Sequence, residues 1–480
     1  MEKNKKKILQ KTPTGISGLD EITNGGFPKG RPVLICGSAG CGKTLFAAQF
    51  LVKGIIDYNE PGVFMSFEES ASDLTQNFKS LGFDFEKLRA EKKLHIDHVR
   101  IERSEIEETG EYDLEGLFIR LNYAIDTVGA KRVVLDTIES LFSGMENMAL
   151  LRSEIRRLFT WLKEKGVTAV ITGERGDRSL TRQGLEEYIS DCVILLDFRV
   201  IEQIATRRLR IVKYRGSTHG TNEYPFLIDE KGISVLPVTS LKLDYRSSTD
   251  IISTGLPALD NAFSTGGIYR ASSTLVTGSS GTAKTILAGH FAMSSCKRKE
   301  STLYFSFEES PDQLVRNMST IGVSFKQAIK SNLLHIHASR PSLQGLEKHL
   351  MVLNKLMAEI KPRTVIIDPI SSLITIGNSN EVRAMLIRLM DTLKINQINA
   401  LFTALTHDDH TDYNNSTVDA VSSLADTWIN LRNEERANER LRSLLIVKSR
   451  GMSHLNNQQD FIITNKGIQI TTFKRKLKTI

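Results

Sequence analysis

The sequence predicts an α/β fold built twice: two tandem domains, each a mostly parallel sheet flanked by helices. Three observations carry this. A glycine-rich pattern occurs as Gly37-Ser38-Ala39-Gly40-Cys41-Gly42-Lys43-Thr44 and again, about 240 residues later, as Gly278-Ser279-Ser280-Gly281-Thr282-Ala283-Lys284-Thr285. Each copy follows an apolar run (Val33–Cys36 or Thr274–Thr277) and precedes a helix-like stretch opening at Leu45 or Ile286. Further apolar runs in each half end in carboxylates or cations, and helical stretches separate them, which describes a covered parallel sheet with its ligands at the carboxyl ends of the strands.

The glycine-rich pattern is the phosphate loop of nucleotide triphosphatases. Small residues let backbone N–H groups converge on a phosphate, Lys43 or Lys284 supplies a mobile positive charge, and the hydroxyl of Thr44 or Thr285 holds Mg²⁺. The strand–loop–helix setting separates this pattern from a chance glycine turn. ATP and Mg²⁺ are therefore the expected ligands.

The remaining elements repeat in order. The first half opens with Thr12-Pro13-Thr14-Gly15, Leu19-Asp20 and Gly25-Gly26, and the second with Ser253-Thr254-Gly255, Leu259-Asp260 and Gly266-Gly267. After each loop helix an apolar strand ends in paired acids, Phe67-Glu68-Glu69-Ser70 and Phe307-Glu308-Glu309-Ser310. One acid of each pair is expected to face the nucleotide, because side chains alternate along a strand. Such a carboxylate is suited to orient the attacking water or hydroxyl. A third shared strand ends in Asp136 or Asp368, the Walker B acid that reaches Mg²⁺ through water. Late in each half stands a basic segment, Lys213-Tyr214-Arg215-Gly216-Ser217-Thr218-His219 and Lys448-Ser449-Arg450-Gly451-Met452-Ser453-His454. Its cations suit the role of reaching a neighbouring subunit's γ-phosphate; an exposed basic edge strand is the plainer alternative.

The repeat divides the chain into a basic N-terminal arm (1–11), a first domain (12–240), a linker (241–249), a second domain (250–473) and a short tail (474–480). A composition of 40% hydrophobic and 25% charged residues is that of an ordinary globular protein. No apolar stretch approaches the ~20 residues of a membrane span. Met1–Lys7 has no apolar segment behind it and does not read as a secretory signal. Four scattered cysteines make no disulfide framework. A cytoplasmic location is expected. The net charge of +7 is spread over 480 residues, whereas a polynucleotide binder concentrates its charge.

The doubled loops, the doubled Phe-Glu-Glu-Ser and the doubled Lys-x-Arg-Gly-x-x-His together resemble the KaiC family of hexameric ATPases and autokinases, within the RecA-like ATPases. The resemblance runs from about Thr12 to about Phe473. It implies a double-ring homohexamer with ATP at the subunit interfaces. In the first ring Gly37 to Leu45 and Ser80 would touch nucleotide, with Glu69 or Glu68 assisting water attack. Lys213, Tyr214, Arg215, Ser217 and His219 would reach over from the neighbour. In the second ring the matching set is Ser279 to Ile286, Glu308, Glu309, Arg442, Lys448, Ser449, Arg450, Ser453 and His454, with Thr285, Glu308 and Asp368 around the metal. Ser422 and Ser423 stand where the family carries the hydroxyl pair that receives phosphate. The first half, aligned on Asp191 against Asp426, has Glu187 and Tyr188 there. Glu308 is the favoured base for the transfer.

Several positions depart from the family pattern. Ala283 replaces a loop glycine and costs about 1–2 kcal/mol if the position needs positive φ. Pro369 follows the second Walker B acid and stiffens that segment, and Ile321 replaces an aromatic near the adenine. The long family tail that binds a KaiA-type activator has no counterpart after Phe473, so such an activator is not expected. A KaiB-like or response-regulator protein is the implied class of partner. Two rivals stand beside this reading. One is a RecA/RadA-type DNA-dependent ATPase, whose channel loops would be Glu174–Arg182, of mixed sign, and His407–His410, which is acidic, so nucleic acid is disfavoured. The other is a signalling scaffold assembled by ATP with little turnover.

Overall fold

The computed structural model describes residues 9–99, 114–141, 147–176, 180–181, 189–201, 204–237, 247–341, 345–376, 379–406, 421–436 and 439–470. Contacts divide the chain into two units, Met1–Thr239 and Ser240–Ile480. The phosphate-loop strands, Pro32–Gly37 and Ser273–Gly278, are buried at every position. A strand covered on both faces must be apolar or internally bonded throughout, and these two are central in their sheets.

The first sheet has nine strands. From one edge they are Gly232–Val235, Glu223–Asp229, Ile204–Tyr214, Cys192–Ile201, Pro32–Gly37, Thr168–Glu174, Arg132–Asp136, Gly62–Ser66 and Leu94–His98. The six from Cys192–Ile201 to Leu94–His98 pair in parallel, and the other three continue antiparallel. The second sheet repeats this order strand for strand, from Gly467–Ile470 through Ser273–Gly278 to Leu334–Ala338. This is the expected RecA-like architecture, made twice.

The helices follow the same logic. Lys43–Tyr58 and Lys284–Lys297 pack apolar residues such as Phe46, Phe50, Leu287 and Phe291 against one sheet face. Ser70 and Ser310 cap the next helices, accepting from the N–H of Asp73 and Gln313, so each acid pair is held between a strand end and a fixed helix start. The openings also match: Asp20 accepts from Thr14 N and Oγ1, and Asp260 does the same for Thr254.

Candidate nucleotide sites

In each phosphate loop the lysine ammonium lies among loop carbonyls. Lys43 Nζ donates to Gly37 O (2.9 Å) and Ser38 O (3.1 Å); Lys284 Nζ donates to Gly278 O and Ser279 O, both at 2.8 Å. Burial lowers the Lys284 pKa, and Asp368 and Glu308 oppose that shift, so both acids share the lysine's field. The loop tips are exposed at Ser38, Ala39 and Gly40 and at Ser280 and Gly281, where a phosphate would enter. Leu45 is buried behind the first loop.

The residue before each lysine is left-handed: Gly42 has φ 103° and Ala283 has φ 77°. The condition attached to Ala283 in the sequence is therefore met, and the alanine carries the cost of that conformation. A side chain at Gly42 would also bring its Cβ to 3.0 Å from Ile228 Cδ1.

Both Walker B acids are buried at strand ends. Asp136 accepts from Thr172 Oγ1, and burial pushes its carboxyl up to about 6 despite hydrogen bonds from Thr172 and Thr44. Thr44 and Asp136 thus face each other beside Lys43. Asp368 accepts from Thr403 Oγ1 and, at 2.6 Å, from Tyr304 Oη.

The paired acids split. Glu68 Oε1 accepts from Thr137 Oγ1 (2.7 Å) and Ser140 Oγ (2.6 Å), just beyond Asp136. Glu308 Oε1 accepts from Ser372 Oγ (3.2 Å), and Pro369 occupies the position of Thr137. Glu69 and Glu309 turn the other way, each accepting from an asparagine of the following helix, Asn77 or Asn317, at 3.2 Å. Burial raises the Glu309 pKa, with Asn317 opposing. Glu68 and Glu308 are therefore the acids turned toward the Walker B side.

The late basic segments end long hairpin strands. A bulge shifts the register between Val193 and Ile194, and between Trp428 and Ile429, re-aiming the strand ends that carry the cations. Gly216 (φ 80°) and Gly451 (φ 74°) then make the left-handed turn that glycine allows. Arg215 is half exposed, its N–H donates to Asp191 O, and its guanidinium lies 3.7 Å from the Asp191 carboxylate. Arg450 repeats this against Asp426, at 2.8 Å for the backbone bond and 4.0 Å for the ion pair. Tyr214 is buried, with its hydroxyl on Gly26 O, so any nucleotide contact from this residue comes from its backbone. Ser449 Oγ pairs with Thr427 Oγ1. Ser217 accepts from Lys11 Nζ. His219 Nδ1 and His454 Nδ1 lie against the next residue's carbonyl, and Ser453 O accepts from Ser264 N.

Other expected residues fall in different places. Arg442 Nε donates to Gly281 O, a carbonyl of its own chain's loop. Its counterpart Arg207, which sequence reasoning missed, acts electrostatically on Cys41 in the first loop. The signal for it was an arginine recurring at the same distance before Lys213 and Lys448. Ser80 caps the end of helix Ala71–Lys79 and bonds Asn77 O. Ser422 and Ser423 lie on a helical turn just before Asp426, the first half-buried and the second exposed. Lys448 Nζ donates to Ser422 O and Arg450 Nη2 to Ser423 O, each at 2.5 Å. Glu187 and Tyr188, and most of the two channel-loop candidates (177–179, 182 and 407–410), lie outside the described residues.

The residues fit Mg²⁺ carried on a nucleotide. In the first loop a hydroxyl and a buried acid meet beside the lysine, and in the second Asp368 and Glu308 act on Lys284, which Thr285 follows in the chain; these are the donor types for an ion that keeps waters and rides on phosphates. Among the described residues no group of three or more His, Cys, Asp or Glu side chains forms a metal cage by itself. Nor is any helix among them long and apolar enough to cross a membrane.

Two RecA-like sheets with paired phosphate loops, Walker B acids and strand-end glutamates define a tandem P-loop ATPase. The profile of the ATPase family described as KaiC matches residues 12–240 and 252–475, and the chain belongs to that family. It is 55% identical over 462 residues to the circadian clock protein KaiC2 of Synechocystis sp., covering 96% of this chain and 81% of that one. It is 37% identical to the circadian clock oscillator protein KaiC of Synechococcus elongatus, covering 98% and 91%. The KaiC of Parasynechococcus marenigrum is also 37% identical, covering 96% and 90%.

Proposed function

We propose that this chain acts as a homohexameric ATPase that hydrolyses ATP mainly in its first-domain ring and phosphorylates Ser422 and Ser423 in its second. The observation that carries the reading is the bonding of Lys448 and Arg450 to the backbone of these two serines. The cations suited to reach a neighbour's γ-phosphate therefore travel with the hydroxyls suited to receive it.

Mg²⁺, when bound, neutralises charge developing on the phosphates. Thr44 and Asp136 would hold it in the first domain, and Thr285, Glu308 and Asp368 in the second. Lys43 and Lys284 bind the β- and γ-phosphates. In the first domain Glu68 takes a proton from water as its oxygen attacks the γ-phosphorus, the bond to the β-phosphate oxygen breaks, and ADP leaves. Glu69 is oriented by Asn77 and supports the position of this strand end. In the second domain the nucleophile is the Oγ of Ser422 or Ser423 on the adjacent subunit, and its proton passes to Glu308. Lys213 and Arg215, or Lys448 and Arg450, supply positive charge from the neighbouring subunit.

Each phosphate adds about −1.5 to −2 charge beside Lys448 and Arg450, which makes it an electrostatic switch on ring packing. The names of the relatives favour a clock-type or signalling use for such a switch, read by a KaiB-like or response-regulator partner. Phosphopeptide mapping after incubation with Mg·ATP tests the assignment. Label on Ser422 or Ser423, abolished in Ser422→Ala/Ser423→Ala, is expected. Label confined to other residues would remove the kinase function.

A further inference from the structure

The two sites share a plan, yet one buried hydroxyl distinguishes them. Tyr304 and Phe64 occupy the same place in their strands, two residues before Ser306 and Ser66, which pair with Asp368 and Asp136. Both rings are fully buried. Both pack on an equivalent aromatic, Tyr304 on Phe325 at 6.2 Å and Phe64 on Phe85 at 6.3 Å. The packing therefore needs a ring and no hydroxyl. A phenol fully removed from water must find a partner, and Tyr304 finds Asp368 Oδ2 at 2.6 Å.

Asp368 consequently has a hydroxyl on each oxygen, Tyr304 on Oδ2 and Thr403 on Oδ1. Asp136 has Thr172 on Oδ1 and a hydrogen bond from Thr44 of the phosphate loop, and Phe64 leaves no donor where Tyr304 stands on the sheet side. Hydroxyls behind a carboxylate fix its rotation and leave its remaining lone pairs aimed forward, the arrangement by which outer groups tune metal ligands.

We propose that Tyr304 is a positioning residue of the second nucleotide site: its hydroxyl locks the Asp368 carboxylate and so sets how tightly that site holds the Mg²⁺ of a bound nucleotide. This rests on the reading of the second domain as an Mg·ATP site. Tyr304→Phe installs the ring the first domain already uses, so the fold is retained.

The test is photolabelling of the full-length chain with 8-azido-ATP across a Mg²⁺ titration, followed by digestion and separate quantification of first- and second-domain peptides. In Tyr304→Phe the Mg²⁺ needed for half-maximal labelling of second-domain peptides should rise several-fold, short of the ~10–100-fold typical for the partner of a direct ligand because Asp368 reaches the ion through water. First-domain peptides in the same molecules should be unchanged. An unchanged Mg²⁺ requirement in the second domain overturns the role of Tyr304 and leaves the site intact. Failure of the wild-type second domain to label at any Mg²⁺ concentration overturns the site and the proposal with it.

Discussion

Ala283 shows how one residue can hold a strained backbone at a functional loop. Its φ of 77° is one that glycine adopts freely, and Gly42 does so at the matching position. Ala283→Gly should stabilise the second domain by about 1 kcal/mol, since the left-handed alanine costs about 1–2 kcal/mol and the extra freedom of glycine when unfolded returns part of it. Thermal unfolding of the two proteins would measure this, and a destabilised variant would mean that the methyl's packing outweighs the strain. Glutamate roles also divide at this scale. Replacing both Glu68 and Glu69 by Gln should preserve assembly and ATP retention while lowering turnover by about 10²–10⁴. Glu68→Gln alone should account for most of the loss, because Glu68 is the acid bonded by Thr137 and Ser140 beyond Asp136. Steady-state hydrolysis decides it: full activity in the double variant would remove these acids from the chemistry. Lys43→Ala should instead weaken nucleotide binding itself.

At the scale of elements, the phosphate-loop helix is tied to the last hairpin of each domain by different chemistry. Gln49 clasps Ile233 from both sides, donating to its carbonyl (3.0 Å) and accepting from its N–H (2.6 Å). His290 stands in for it, and its Nε2 accepts from Ile468 N at 3.1 Å. That bond requires a neutral ring. Burial first, and the charge of Lys297 second, hold the His290 pKa below its ordinary 6.5. A histidine whose folded pKa is depressed contributes stability that is present above the unfolded value and is lost as pH falls through the folded one. The second domain should therefore lose stability on acidification below pH 6.5, by about 1.4 kcal/mol per unit of depression. His290→Gln, which copies the first domain, should flatten this part of the pH dependence in thermal unfolding. An equally steep profile in that variant would place the sensitivity elsewhere.

For the whole molecule, the decisive question is whether a subunit completes its neighbour's site. Arg215 is half exposed, with its backbone N–H on Asp191 O and its guanidinium 3.7 Å from the Asp191 carboxylate, a setting at the end of a strand that suits a cation presented to a neighbour. If it acts across an interface, Arg215→Ala and Lys43→Ala proteins should each be nearly inactive in first-ring hydrolysis. Co-assembled mixtures should regain activity where an intact loop meets an intact Arg215. Hydrolysis that fails to recover in mixtures shown to co-assemble would confine Arg215 to its own chain.

Much of this was legible in the chain itself. The doubled loops, strand-end acids and basic segments pointed to the fold class and to the residues proposed for both sites, because phosphate chemistry demands particular residue types at fixed spacing, and a second copy makes each match hard to obtain by chance. Alternation along a strand also implied that the acids of each pair would diverge. Which acid turned toward Asp136 or Asp368 was settled by the loop packed beside it, through Thr137 and Ser140 or through Ser372. Likewise the sequence offered Arg442 as a nucleotide ligand, and hairpin register brought it to a carbonyl of its own loop. The cluster of Ser422, Ser423, Lys448 and Arg450 joins residues 26 and 27 positions apart, so their contact depends on how the strand and the helical turn before it close together. The clamp of Tyr304 on Asp368 spans 64 residues of sequence. Local chemistry is written in residue type and spacing, whereas a contact between distant strands exists only once the sheet has set their order and register.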